Sequence, residues 1–231
     1  MKNFHKAAVL AAIGLASLSA STEAATYNGD LIIGFSGTGS SSDLIYDLGS
    51  ASSLFDGEQW TLGSLLSGID LTTVMWGVIG DVNSGSPRTA WTTTGGVVPP
   101  AVPGAGTVNA INTSLKSIYQ NVGPNAGAGN YAVVLTSDDN SWKSQTIAPS
   151  LVTQYKNVYG DPNVTGLTTA SLFLTPGNNS VPTLLGTFSL AANGTVTYNV
   201  TPVPEPGTYG LLAVGGLVVL ALRSQFRRKQ V

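Results

Sequence analysis

The chain has 231 residues, a length that suits one domain of ordinary size once both ends are set aside. It contains no cysteine, which excludes disulfides, thiol nucleophiles and thiolate metal sites. Only 10% of the residues are charged, and between Asp30 and Asp161 there are ten acidic and four basic residues. Because nucleic acids need a basic surface, this balance excludes them as partners.

The N-terminal residues 1–24 have the layout of a secretory signal peptide. Two lysines precede the apolar stretch 7–18, which is too short to span a bilayer comfortably. Small residues around Ala24 predict cleavage after it by a signal peptidase. We therefore expect residues 25–201 to form an exported domain, which the abundance of Gly, Thr and Asn predicts to be β-rich.

Strand patterns lie near both ends of this domain. They are alternating or continuous apolar runs between Gly-, Ser- and Asn-rich turns. The most apolar run, which contains Trp76, predicts a buried central strand. The predicted strands are residues 30–35, 43–48, 73–82, 88–93 and 170–174, with a loop over 36–42 and a turn over 83–87.

Helical patterns fill the middle of the domain. Apolar residues recur at helical spacing over 107–122, which is the most regular of these segments. Residues 61–66 and 150–158 predict two shorter helices, and the Pro- and Gly-rich stretch 97–106 predicts a loop.

A β-hairpin is predicted at the end of the domain. A two-residue turn at Asn193 and Gly194 would set Leu190 opposite Thr197 and split the apolar faces. A three-residue loop, 192–194, instead sets Leu190 opposite Val196 and places Gly194 in the left-handed position of a bulged turn. We favour the three-residue loop. The whole pattern predicts a mainly β fold, an antiparallel β-sandwich or curved sheet with a few inserted short helices.

The C-terminal residues 202–231 form a three-part tail. The sequence Val-Pro-Glu-Pro is followed by an uncharged apolar run, 209–222, and then by basic residues that the positive-inside rule keeps in the cytoplasm. Fourteen helical residues rise about 21 Å, less than the roughly 30 Å of bilayer hydrocarbon. The predicted transmembrane helix therefore suits a transient anchor. The basic residues are Arg223, Arg227, Arg228 and Lys229.

This order of segments resembles the PEP-CTERM sorting domain over roughly residues 202–229. The resemblance implies that an exosortase, an integral-membrane cysteine protease or transpeptidase, recognises Pro204, Glu205 and Pro206 and cleaves nearby. It further implies transient residence in the inner membrane, then release or transfer to the cell surface, often alongside exopolysaccharide.

Catalytic chemistry has few candidates in the sequence. The only histidine, His5, lies in the predicted signal peptide, so the mature domain lacks imidazole as well as thiol. This excludes Ser-His-Asp and Cys-His catalysis and His-ligated zinc, and we expect no metal or other cofactor. Paired carboxylates remain open to a glycosidase or lyase. The candidate pairs are Asp56 with Glu58 and Asp70 with Asp81.

Two binding sites also stay open as alternatives. Trp60, Trp91 and Trp142 lie in polar surroundings and would serve a carbohydrate-binding module if their rings stacked on sugars. The acidic stretch 138–140 would supply oxygen ligands to Ca²⁺, although it lacks the spacing of a known calcium loop. We expect a non-enzymatic surface or matrix protein, with these sites as rivals.

Overall fold

Ten strands form one antiparallel sheet in the part of the chain that the computed structural model describes, residues 29–82, 88–96, 105–122, 129–177 and 181–201. The strands are β1 (Asp30–Ser36), β2 (Ser42–Ser50), β3 (Gln59–Thr61), β4 (Met75–Val82), β5 (Thr89–Thr94), β6 (Tyr131–Leu135), β7 (Val164–Thr165), β8 (Thr169–Pro176), β9 (Thr183–Leu190) and β10 (Thr195–Val200). Their order across the sheet is β3-β10-β9-β8-β5-β4-β1-β2-β6, and β7 pairs with β4. The mainly antiparallel fold is therefore confirmed.

The helical elements are α1 (Ala105–Val122), α2 (Tyr155–Tyr159), a 3₁₀ turn at Ala51–Ser53 and a π-helical turn at Lys143–Ile147. The long predicted helix is confirmed as α1 and begins two residues earlier than predicted. Of the predicted 150–158 helix, only the last part is helical, as α2. The predicted 61–66 helix is wrong, because Thr61 ends β3 and the chain then runs through turns.

The sheet is curled so that one face closes on itself. Alternate residues of β1, such as Leu31 and Ile33, point to this face. There they join fully buried side chains from the distant strands β8, β9 and β10, including Phe188 and Val196. In a flat sheet, strands that are distant in the strand order could not share one cluster. The curl therefore lets a single sheet bury a sandwich-like core.

The other face is covered by the helices over β1, β2, β4 and β5. Ile32 and Ile79 point to this side and pack against Ile111, Leu115 and Ile118 of α1. The second core also includes Trp142 just before the π-helical turn and two tyrosines of α2. Because β1 is buried on both faces, its sequence is continuously apolar rather than alternating, as expected of a central strand.

The terminal hairpin has the predicted register. Leu190 pairs with Val196, and Phe188 pairs with Tyr198. Gly194 has φ +77°, and its amide N–H donates to the Ala191 carbonyl at 2.9 Å. The three-residue loop with a left-handed glycine is therefore confirmed.

Both ends of the described chain lie at the same end of the sheet. Every neighbouring pair is antiparallel, so the start of β1 and the end of β10 share one edge of the fold. The strands β1, β5 and β9 begin at this end of the sheet, and β4, β8 and β10 end there. We call it the tail-side end, and we call the opposite end the far end.

Several predictions lie outside the described residues: the signal peptide 1–24, the turn 83–87, most of the loop 97–106 and the tail 202–231. Of that loop, residues 105–106 already belong to α1, so the loop prediction is wrong for these two. Among the described residues, neither helix combines the length and hydropathy needed to cross a bilayer.

Candidate functional site

Trp142, one of the three tryptophans that the sequence left open as sugar-stacking candidates, is completely buried. Its indole ring lies directly on the sheet at Gly34, where an added Cβ would stand 1.9 Å from the ring. The indole N–H donates to Asn163 Oδ1 at 2.8 Å. Gly34 pairs with Gly77, and the Pro162 carbonyl covers that second glycine in the same way. Two adjacent glycines thus make a flat site for the ring, which has no face open to a ligand.

Trp60 and Trp91 pack in the other core, on the face of the sheet that closes on itself. Trp60 is buried and its ring centroid lies 6.0 Å from that of Phe188. Trp91 is half-buried between its sheet neighbours Gly80 and Leu174. The burial of Trp60 and Trp142 therefore favours packing over the sugar-stacking alternative at these two positions, and Trp91 alone offers no row of rings.

The two predicted carboxylate pairs have different geometries. Asp70 precedes β4 at the far end, and Asp81 lies near its tail-side end. At about 3.3 Å per strand residue, the six steps from Met75 to Asp81 alone exceed the 5–10 Å that glycoside hydrolysis requires. Asp56 and Glu58 both lie beside β3. Asp56 Oδ1 accepts the Val200 N–H at 2.9 Å, and Glu58 Oε2 accepts a backbone N–H at 3.3 Å.

The remaining oxygen-rich candidates are turn structures. Asp138 Oδ1 accepts the Asn140 N–H at 2.8 Å, which is the hydrogen bond of an Asx turn. Thr72 donates both its N–H and its hydroxyl to Asp70, and these bonds lower the pKa of the Asp70 carboxyl. The described residues contain no group of three or more acidic or histidine side chains placed to hold a metal ion.

Asp43 is a buried acid that the sequence pattern did not single out. Its side chain is fully buried at the start of β2, and Oδ2 accepts the Lys143 N–H at 2.7 Å. The hydroxyls of Ser36 and Ser141 lie near the carboxylate, and its Oδ1 has no hydrogen-bond partner among the described residues. Burial, the largest influence, raises the pKa of this carboxyl. The contact ties the π-helical turn to the sheet, so its role is structural.

Three further acidic residues lie under α1 at the tail-side end. Asp47 and Asp81 are buried and Asp30 is half-buried. The Tyr119 hydroxyl donates to the Asp30 backbone carbonyl at 3.4 Å, and burial, then these carboxylates, raises the pKa of that hydroxyl. Asp47 Oδ1 in turn accepts the Gly49 N–H at 2.7 Å. The Tyr119 bond joins the helix to the start of β1, and the Asp47 bond is local to the end of β2.

An open groove of about 440 Å³ lies at the far end, between the turns that follow β3 and β9. Asp70 is its single carboxylate, so it holds no acid–base pair. The main lining residues are Gly63, Leu66, Asp70, Leu71, Leu167 and Asn193.

The end of β10 is held by several hydrogen bonds where the described part of the chain ends. Beside the Val200–Asp56 bond, the Thr201 N–H donates to the Leu185 carbonyl at 3.1 Å. The Tyr198 N–H donates to the Glu58 carbonyl at 2.9 Å. The backbone is therefore held in the sheet up to Thr201, only three residues before Pro204.

Comparison with known proteins identifies the segment after Thr201. A model of the PEP-CTERM protein-sorting motif matches residues 202–229. No curated protein and no solved structure matches the chain. The matched residues include the predicted Pro-Glu-Pro signal, and the basic residues up to Lys229. The folded β domain of this chain is therefore followed directly by a PEP-CTERM protein-sorting motif, which marks an exported protein sorted by an exosortase.

Proposed function

We propose that this chain is a non-enzymatic protein of the cell surface or extracellular matrix, delivered there by cleavage of its tail. The observation that carries the proposal is the sorting motif at 202–229. The signal peptide sends the domain across the inner membrane, and the tail holds it there while an exosortase cuts beside Pro204, Glu205 and Pro206. The mature protein then ends near Val203 and associates with exopolysaccharide in the matrix or biofilm.

A structural role for the domain is supported by how its polar groups are used. The acids of the described sheet act in turns, in strand-end contacts and beneath α1. Trp60 and Trp142 fill the cores. These groups stabilise a domain that is displayed.

The test of sorting is replacement of Pro204, Glu205 and Pro206 by alanine, followed by cell fractionation. We expect the variant to accumulate at precursor size in the inner membrane fraction, because the protease no longer recognises its tail. Gly207→Ala is the matched control, since it changes the next residue and leaves Pro204, Glu205 and Pro206 intact. If the triple variant reached the same mature size and location as the wild type, sorting through this motif would be disproved.

A further inference from the structure

The position of the tail fixes which end of the domain approaches the membrane. Thr201 is still hydrogen-bonded within the sheet, and the apolar run begins at Tyr209. Seven residues lie between them, and the eight steps from Thr201 to Tyr209 span at most about 29 Å when fully extended. The lipid headgroup layer already takes up part of that distance. An anchored domain is therefore held with its tail-side end close to the bilayer.

Exposed apolar side chains lie at the end of the sheet where the tail leaves. Val200, at the end of β10, is 42% exposed. Phe55, 61% exposed, is joined to it through the neighbouring Asp56, whose carboxylate binds the Val200 N–H. Val181, 71% exposed, lies just before β9 at the same end. Other exposed apolar residues lie on β6, on the helical side and at the far end, so it is the exit of the tail that distinguishes these three.

We infer that Phe55, Val181 and Val200 form a lipid-contacting surface that orients the anchored precursor on the outer leaflet of the inner membrane. This inference rests on the proposed sorting function. The carboxylates of Asp56 and Glu58 lie beside the surface and favour water. Contact is therefore limited to the boundary between headgroups and acyl chains.

The tether makes this weak contact effective and cleavage ends it. A short linker raises the effective concentration of an attached group to the millimolar range, so a surface that binds lipid poorly stays bound while the tail is inserted. One myristoyl chain gives only marginal binding on its own, and three partly exposed side chains offer less apolar surface than that chain. The domain therefore leaves the membrane once the tail has been cut.

The cysteine-free chain allows a direct test with single labels. Phe55→Cys, Val181→Cys and Val200→Cys are made in the full-length protein and labelled with an environment-sensitive dye. Each variant is inserted through its tail into vesicles of phosphatidylethanolamine and phosphatidylglycerol. Leu135→Cys and Leu167→Cys are matched controls at the far end, with exposures of 64% and 42%. All five positions are exposed, and a circular dichroism spectrum checks that each variant is folded.

The expected result is a blue shift of the dye, with quenching by nitroxide lipids, at the three tail-side positions and at neither control. The processed protein released by cells, labelled at the same positions, should show no shift with vesicles. Equal blue shifts at the tail-side and far-end positions would overturn the inference. So would a blue shift at the tail-side positions that appears only when exosortase is added to the vesicles. If the labels fail but cells still convert the precursor to mature size, only the orientation is wrong; if no processing occurs, the sorting function itself is wrong.

Discussion

Replacing Trp142 by alanine should destabilise the domain strongly, because this indole belongs to the second core. A buried aromatic side chain removes about 150–250 Å² from water, worth about 4–6 kcal/mol at 25 cal/mol per Å². Measured Trp→Ala replacements in cores cost about 3–5 kcal/mol. The side chain is fully buried, and its 2.8 Å bond to Asn163 is lost as well. We expect a loss of about 4 kcal/mol, a large part of a typical 5–15 kcal/mol stability.

The measurement is urea unfolding of the full-length protein in detergent, followed by far-ultraviolet circular dichroism so that loss of tryptophan fluorescence does not interfere. Trp142→Phe should cost about 1–3 kcal/mol, because it keeps an aromatic ring but leaves the side-chain oxygen of Asn163 without the indole N–H donor. Val152→Ala, at a position that is 84% exposed, is the control and should stay within about 0.5 kcal/mol of the wild type.

The outcome separates a core residue from a sugar-binding one. A tryptophan that stacks on a glycan would lose glycan binding on substitution and leave the free energy of unfolding almost unchanged. If Trp142→Ala unfolded within about 1 kcal/mol of the wild type, the packing of this ring on Gly34 would be refuted as a source of stability.

Three further substitutions test other parts of the fold, and a fourth tests a surface ion pair. Gly194→Ala should cost at least about 1 kcal/mol in urea unfolding, because the residue has φ +77° and an added Cβ would stand 2.6 Å from Gly63 Cα. Asp43→Asn should flatten the pH profile: the raised pKa of Asp43 makes the folded state bind its proton more tightly, so wild-type stability falls as pH rises from about 3.8 through that raised pKa. Asp70→Asn should act with the opposite sign, because the lowered pKa of Asp70 gives stability that is lost as pH falls through it. A profile unchanged by both acid substitutions would contradict the assigned environments. Lys156→Met should change the free energy of unfolding by less than about 1 kcal/mol, since the 2.7 Å ion pair of Lys156 with Asp161 is partly exposed. A larger loss would contradict the interpretation of this pair as a weak surface contact.

The sequence was most informative where neighbouring residues alone decide the structure. The hairpin register follows from alternation on two adjacent strands and from one glycine, so Leu190 could be paired with Val196 without knowledge of the rest. The helix α1 has eighteen residues with a clear apolar period. In both cases the signal is local and strong.

Prediction failed where the partner surface is distant in the chain. Trp142 is flanked by Ser141 and Lys143, so its surroundings look polar, but its packing site on Gly34 is more than a hundred residues away. β6 was not predicted, because its apolar run has only five residues. The exposure of Tyr131, Val133 and Leu135 in the fold is not visible in the sequence. Leu62, Leu65 and Leu66 have helical spacing, yet the bond from the Leu62 N–H to the Gly194 carbonyl ties this segment to the hairpin.

The shortness of the link between domain and motif sets a geometric condition on processing. Only Pro202 and Val203 separate the hydrogen-bonded Thr201 from Pro204, a reach of about 10 Å. A membrane-embedded protease that cuts near Pro204 therefore works directly against the tail-side end. Because that end carries exposed apolar side chains beside the exit, the domain can rest on the bilayer while the tail is held, and it need not unfold to present the motif. In the orientation that we propose, the strand end that fixes β10 in the sheet would also bring the cleavage signal to the membrane surface.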